Sequence, residues 1–285
     1  MRRSSMGILI VCVLGIAVVA FQASATPGDT MLRSEDISLA ELAAVPAARW
    51  RALASERIYF GHQSVGRDIL AGVEAIQTEL PQIGLRIVAG EPAALQGRPG
   101  LAHAPIGDNG APASKVRAFT RQLEAAGADG VDIALMKFCY VDVGIDTDIE
   151  AMFADYRQAA ARWREAHPHT RFVHCTVPLC AVHTTWKERL KGLLGRGDGA
   201  ANRRREAFNQ LLRSEYRGRE PLFDLAMAEA TLPDGTRVTA GGVPCLAACY
   251  TSDGGHLGTV GRRAAAREFL RVLADLAGGT GPGPK

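Results

Sequence analysis

The chain has 285 residues, 47% of them hydrophobic and 22% charged, with a formal net charge of +3. That much apolar content excludes a disordered chain, and the length holds one large domain or two small ones. A charge so near zero, with no basic patch, speaks against nucleic acid as a partner.

Arg2 and Arg3 precede the apolar run Gly7–Phe21, and Ala23-Ser24-Ala25 follows as a small-x-small cleavage site. This is the three-part pattern of a secretory signal peptide. The rival reading is an uncleaved anchor, but the run is short for the ~20 apolar residues that span a membrane. Residues 1–25 are therefore expected to be removed. Loss of Arg2 and Arg3 with no acidic residue takes the net charge from +3 to +1. Cys12 lacks a lipobox-like context. The mature protein is expected in the periplasm or outside the cell, without stable membrane insertion.

Residues 26–37 read as a flexible leader. Ser38–Glu56 has helical character, with Pro46 as a break. Ile58–Phe60 reads as a short buried strand. Over Gly66–Leu80 the apolar residues Ile69, Leu70, Val73, Ile76 and Leu80 recur at helical spacing. Gly84–Gly90 is a strand, and Pro112–Gly127 a helix stopped by glycine. Val131–Asp142 is the strongest strand. A long amphipathic helix (Asp148–Pro168), a strand (Arg171–Leu179), a helix (Ala201–Tyr216), a short strand (Pro221–Ala226) and a closing helix (Gly258–Gly278) follow. Residues 279–285 read as a disordered tail. This alternation predicts an α/β fold, a three-layer α/β/α sandwich with a central, mainly parallel sheet, in one domain over residues 38–278. Sites in such sheets form at the C-terminal ends of strands. The residues to watch are Gly61–Ser64, Phe138–Asp142, Thr176–Leu179 and Asp224.

Beyond the leader stand Cys139, Cys175, Cys180, Cys245 and Cys249. Export permits disulfides, and an odd number leaves a thiol over. Cys245 and Cys249, close together in a Gly/Pro-rich stretch, are the best pair. Zinc is the rival reading of Cys-x3-Cys, but no second pair stands at ligand spacing.

Ser64 follows the first strand and precedes a helix. It is either the cap of that helix or a nucleophile. A nucleophile needs a histidine base and a group to orient it. The segment Thr251-Ser252-Asp253-Gly254-Gly255-His256-Leu257 supplies both residue types three apart on a glycine-rich turn. Asp253 in that position can hold the imidazole of His256 in one tautomer. Alone, either segment has a bland reading: a cap, or a surface histidine in a capping loop.

Together they resemble the SGNH/GDSL hydrolase superfamily, over about Ile58 to Leu276. The serine block after the first strand, the Asp-x-x-His block before the last helix, Thr176–Leu179 ending a strand, and Asn202, Phe208 and Asn209 ahead of Leu222–Ala226 carry the resemblance. Two departures stand out. The first block reads Gly61-His62-Gln63-Ser64 in place of Gly-Asp-Ser. The strand end Lys137–Asp142 lacks the family's Gly-x-Asn-Asp block, so the usual asparagine donor is missing there. His103–Pro112 offers a substitute, with Gly107 giving a backbone N–H and Asn109 a side-chain amide. The alternative for Asp108-Asn109-Gly110 is a plain turn.

The resemblance implies a flavodoxin-like SGNH fold and an exported serine esterase or acyl hydrolase. Ser64 would be its nucleophile, His256 its base and Asp253 the orienting carboxylate, with Gly107 and Asn109 as oxyanion donors. His62 adjoins Ser64 and is a candidate substrate contact, and Lys137, which interrupts an apolar strand, is a candidate site cation contacting substrate or oxyanion. For His62 a local structural bond is the alternative. For Lys137 the alternative is a lysine snorkelling at a sheet edge or pairing with a carboxylate. The expected partner is a small-molecule or carbohydrate ester, such as an acyl group on a glycan or a simple lipid ester. No metal or organic cofactor is implied. Two other functions stay open: a non-catalytic domain binding glycan or protein, and an O-acyltransferase using the same residues with a sugar hydroxyl as acceptor. His103, His169, His174 and His183 read as structural or surface residues, and Trp50, Trp163 and Trp186 as packing. Asp142, Asp146 and Asp148 read as a solvated acidic loop.

Overall fold

Strand residues alternate between two apolar layers, and that alternation organises the chain. The computed structural model describes residues 32–182 and 197–277. The signal peptide, the first part of the leader, His183, Trp186 and the tail lie outside the described residues. Strands β1 (Arg57–His62), β2 (Ile87–Ala89), β3 (Gly100–Pro105), β4 (Ile133–Met136), β5 (Arg171–Cys175) and β6 (Leu222–Phe223) form a six-stranded sheet in the order β2-β3-β1-β4-β5-β6. Every pairing in it is parallel. Without the edge strand β2, chain order across the sheet reads 2-1-3-4-5, the flavodoxin-like order. A separate antiparallel pair, β7 (Thr239–Ala240) and β8 (Val243–Pro244), stands apart from it.

Ile58 and Phe60 point to one face of β1 and Tyr59 to the other, as the period of two requires. On the first face lie α1 (Ala40–Ala43), α2 (Ala47–Ala54), α3 (Ser64–Glu79) and α8 (Thr259–Ala277). On the second lie α4 (Pro112–Ala126), α5 (Ile149–Ala166) and α6 (Asp198–Tyr216). The short α7 (Leu225–Glu229) packs on α8. The α/β three-layer architecture expected from the alternation is the one observed. Phe60, Phe119, Phe208 and Phe269 are fully or almost fully buried. Each such ring contributes about 1.5–3 kcal/mol relative to exposure.

Several boundaries differ from the sequence reading, each for a local reason. Gly100–Pro105 is a strand between β2 and β1, although glycine and proline bracket it. β4 ends at Met136 because Asp142 folds back: its Oδ2 accepts from the Cys139 N–H at 2.6 Å and closes a 3-10 turn over Tyr140–Asp142. Only Leu222 and Phe223 pair in the Pro221–Ala226 segment, since Asp224 caps α7 instead. Pro46 divides the first helical stretch and stands at the start of α2. The end of the leader is not loose: Ile37 is buried, and its carbonyl accepts from Arg263 Nε at 3.1 Å.

Cys245 and Cys249 do not pair; both are free thiols. Leu246 and Ala247 between them turn into the core, with N–H bonds to Cys180 O and Glu229 O. Cys245 is thereby buried, while Cys249 faces out on the next 3-10 turn.

Candidate active site

β1 lies at the centre of the sheet. The chain runs from it to β2 and β3 on one side and then crosses to β4 on the other. Crevices form at such reversals, outside the C-terminal ends of the strands. Ser64 is delivered there as the first residue of α3. The capping position is held by Gln63, and no side chain caps the helix. Ser64 Oγ is engaged elsewhere, 3.0 Å from His256 Nε2. Of the two readings of this serine, the cap fails.

His256 Nδ1 lies 2.7 Å from Asp253 Oδ2. A carboxylate only accepts, so Nδ1 carries the proton and donates it, leaving Nε2 to accept from the Ser64 hydroxyl. Asp253 Oδ1 takes the N–H groups of Gly255 and His256 at 2.9 and 2.8 Å. These backbone donors, with the His256 ring, hold the Asp253 carboxyl well below the usual carboxylate range. The carboxylate therefore stays ionised beside the imidazole. The three residues are brought together across 192 positions of sequence. The arrangement is open to solvent, with the His256 and Asp253 side chains 42% and 53% exposed.

The loop after β3 is stitched to the serine turn by Gln63, whose Nε2 donates to Ile106 O at 2.9 Å and Gly107 O at 2.7 Å. Ile106 N–H is taken by His62 O, and Asp108 N–H by Ser114 Oγ. Between them, the Gly107 N–H has no partner among the described residues. Gly107 has φ +50°, and a Cβ there would sit 2.5 Å from Lys115 N. Only glycine satisfies both constraints. The Ser64 N–H stands at the positive end of α3, where a developing negative charge is favoured. Asn109, beyond Gly107, is exposed.

His62 and Lys137 lie beneath this surface and do not line it. His62 is 1% exposed. Its Nδ1–H donates to Gln63 O at 2.7 Å, so Nε2 accepts from His103 Nδ1–H at 3.0 Å. Burial pushes His62 down to about 3 and keeps it neutral. A Cβ on Gly66 would overlap its ring, so the glycine admits His62 under the first turn of α3. Lys137 is 0% exposed just past the end of β4, a strand with neighbours on both sides, and its Nζ donates to Phe138 O at 3.1 Å. With its side chain fully buried, Lys137 does not snorkel to solvent. Glu229, also buried, accepts from Leu179 N–H at 2.7 Å with one oxygen. Its other oxygen has no partner among the described residues. Burial pushes it up to about 8.

Sequence reasoning missed several supports. Asp68, one turn after Ser64 on the same helix face, accepts from Leu257 N–H at 3.2 Å and from Arg262 Nη2 at 2.7 Å. It ties the histidine loop to the serine helix, and its i,i+4 spacing from Ser64 was a legible signal. Tyr140 packs edge-on to His256, with ring centroids 6.0 Å apart. Burial raises its phenol above the ordinary value. Asn209 and Asn202, which the sequence did single out, bracket Val177 and Cys180 respectively through both backbone groups. Arg205 donates to Tyr140 O at 2.9 Å. Asp142 is no solvated loop residue: it is buried against Lys115.

No protein-family model matches the chain. No curated protein matches it either. Among solved structures, the chain is similar to SGNH-type proteins. A candidate GDSL-like lipase from Parabacteroides merdae ATCC 43184 is 16% identical, with a TM-score of 0.45, covering 76% of this chain and 94% of that one. A candidate SGNH hydrolase from Slackia heliotrinireducens is 16% identical at TM-score 0.44, covering 76% and 97%. The periplasmic domain of a lipopolysaccharide acetyltransferase from Salmonella ser. Paratyphi A is 10% identical at TM-score 0.44, covering 82% and 87%. At these scores the likeness says nothing of chemistry, which has to come from the side chains. Among the described residues, no helix is long and apolar enough to cross a membrane.

Proposed function

We propose that this chain is an SGNH-type serine hydrolase that cleaves carboxylic esters. The observation that carries the reading is the continuous relay Ser64 Oγ, His256 Nε2, His256 Nδ1, Asp253 Oδ2, with links of 3.0 and 2.7 Å. Ser64 Oγ attacks the ester carbonyl carbon, and His256 Nε2 takes its proton. The carbonyl oxygen becomes an oxyanion, held by the N–H groups of Ser64 and Gly107 and by the Asn109 amide. His256 then passes the proton to the departing alcohol as the ester C–O bond breaks, leaving an acyl-serine. Water, deprotonated by His256, attacks that acyl group and restores Ser64. Asp253 stays ionised throughout and stabilises the imidazolium. Each fixed oxyanion donor is worth about 2.7–4 kcal/mol of barrier.

The basic start, apolar run and Ala23-Ser24-Ala25 support export to the periplasm or beyond. N-terminal sequencing of the secreted protein tests this, and an intact Met1 would exclude cleavage. The open relay also admits an acceptor alcohol in place of water, and product analysis with added alcohol separates transfer from hydrolysis. The direct test of the reaction is turnover of p-nitrophenyl acetate and butyrate by the wild type, Ser64→Ala and His256→Ala. Activity that survives both substitutions would sink the assignment. A wild type that turns over no ester and takes no fluorophosphonate label at Ser64 would favour a binding domain.

A further inference from the structure

We infer that the buried ion pair Lys115–Asp142 is a positioning device that aims the Asn109 amide at the oxyanion and locks its loop to the turn carrying Tyr140. The inference rests on the serine-hydrolase reading above and extends it to residues outside the relay. Lys115 Nζ lies 2.6 Å from Asp142 Oδ2, and both side chains are 0% exposed. Among the described residues, no other ion pair has both members fully buried.

The pair's remaining bonds all reach the two site loops. Lys115 Nζ donates to Asn109 Oδ1 at 3.0 Å. Asp142 Oδ1 accepts from Gly110 N–H at 2.8 Å, and Oδ2 from Cys139 N–H at 2.6 Å. An ammonium only donates, so the atom of Asn109 that faces Lys115 is its oxygen. The NH2 group is thereby turned away from the Lys115 ammonium, and it has no hydrogen-bond partner among the described residues. The same loop is held from its other end by Gln63, next to Ser64. One carboxylate thus fixes Gly110 and Cys139 together, and Tyr140 after Cys139 packs against His256. Desolvating two ions is costly, and apolar residues of equal size would pack the same space. They would not choose the orientation of an amide.

The test combines amide hydrogen exchange with a double-mutant cycle in the full-length mature protein. Lys115→Met keeps the apolar stem and removes the charge. Exchange should quicken in both segments 107–111 and 139–142. With p-nitrophenyl acetate, kcat should fall about 10-fold or more while KM stays within about 2-fold. Asn109→Ala should lose about 100-fold in kcat. Lys115→Met added to Asn109→Ala should cost clearly less than it costs in the wild type, because the share of its effect that runs through Asn109 is already gone. Unchanged exchange in either segment, or additive losses in kcat, would overturn the inference. Where Lys115→Met fails to fold, Asn109→Asp decides: it keeps an oxygen for Lys115 but has no N–H to give. It should retain exchange protection and still lose about 100-fold in kcat, and full activity would refute the role. Ser64→Ala as active as the wild type, or an inert wild type, sinks the hydrolase reading instead. The exchange measurement still decides the clamp in that case.

Discussion

Replacing Asp253 by asparagine should lower the proposed ester turnover more than replacing it by alanine. Asp253 Oδ1 accepts from the N–H groups of Gly255 and His256 at 2.9 and 2.8 Å. Those groups can only donate, so in Asp253→Asn the amide oxygen must stay there. The NH2 group then occupies the Oδ2 position, 2.7 Å from His256 Nδ1 in the native arrangement. Two donors cannot face each other, so the ring gives up its Nδ1 proton and carries it on Nε2. That proton points at Ser64 Oγ, and the serine loses its base. A tautomer error of this kind costs about 10⁴ in kcat, or roughly 5 kcal/mol of barrier. Asp253→Ala places nothing opposite Nδ1. The site is half open, so water can take the Nδ1–H and the tautomer survives. Only orientation is lost, at about 10²-fold. Steady-state p-nitrophenyl acetate kinetics should therefore rank wild type, then Ala, then Asn. Thermal unfolding should change little between the variants, because Asp253 lies at the surface. An asparagine variant as fast as the alanine one would refute the tautomer reasoning, and one within tenfold of wild type would remove Asp253 from the relay.

Ser64→Ala and His256→Ala should each lower ester turnover by at least about 10³-fold, with unfolding temperatures near that of the wild type. Glu229 offers a pH signature of stability. Burial raises its folded pKa from 4.5 to about 8, so the folded chain keeps a proton that the unfolded chain releases. Its contribution is therefore fully present below about 4.5 and is lost as pH climbs to about 8. Denaturant titrations from pH 5 to 9 should show Glu229→Gln gaining on the wild type toward alkaline pH, by on the order of a few kcal/mol; parallel profiles would count against it. Gly66→Ala should destabilise by about 1–3 kcal/mol despite alanine's better helix propensity, because the new Cβ overlaps a His62 ring held by bonds at both nitrogens. A stabilised variant would contradict this. Thiol labelling of native protein should find Cys249 reactive and Cys245 protected, and one mass-spectrometric Cys245–Cys249 crosslink in native material would refute the free-thiol arrangement.

The candidate relay was legible through the resemblance, because each of its two segments is short and local while neither is telling alone. Ser64 follows an apolar run, and Asp253 and His256 share one short glycine turn; together the two blocks carried the resemblance, and the resemblance carried the reading. The layers were legible from helical spacing: Ile69, Leu70, Val73 and Ile76 mark the buried face of α3 without any knowledge of its partner. Gly100–Pro105 was not, since its flanking glycine and proline hide a strand that only pairing with β1 and β2 creates. Asn109 was named as a substitute for the missing asparagine donor of the resembling family, but nothing local couples it to Lys115 and Asp142.

The sequence by itself determined the α/β alternation and the apolar faces of the main helices, and that a serine and an Asp-x-x-His turn stand at element ends. Strand order was beyond it, because a period of two says which face a residue takes and not what lies on either side. Only the tertiary structure put β1 and β4 side by side in the middle of the sheet. His62 at the end of β1 and Lys137 just after β4 are buried there, and burial of Glu229 on α7 raises its carboxyl. The same placement brings the Asn109 loop and the Tyr140 turn to opposite sides of one buried ion pair.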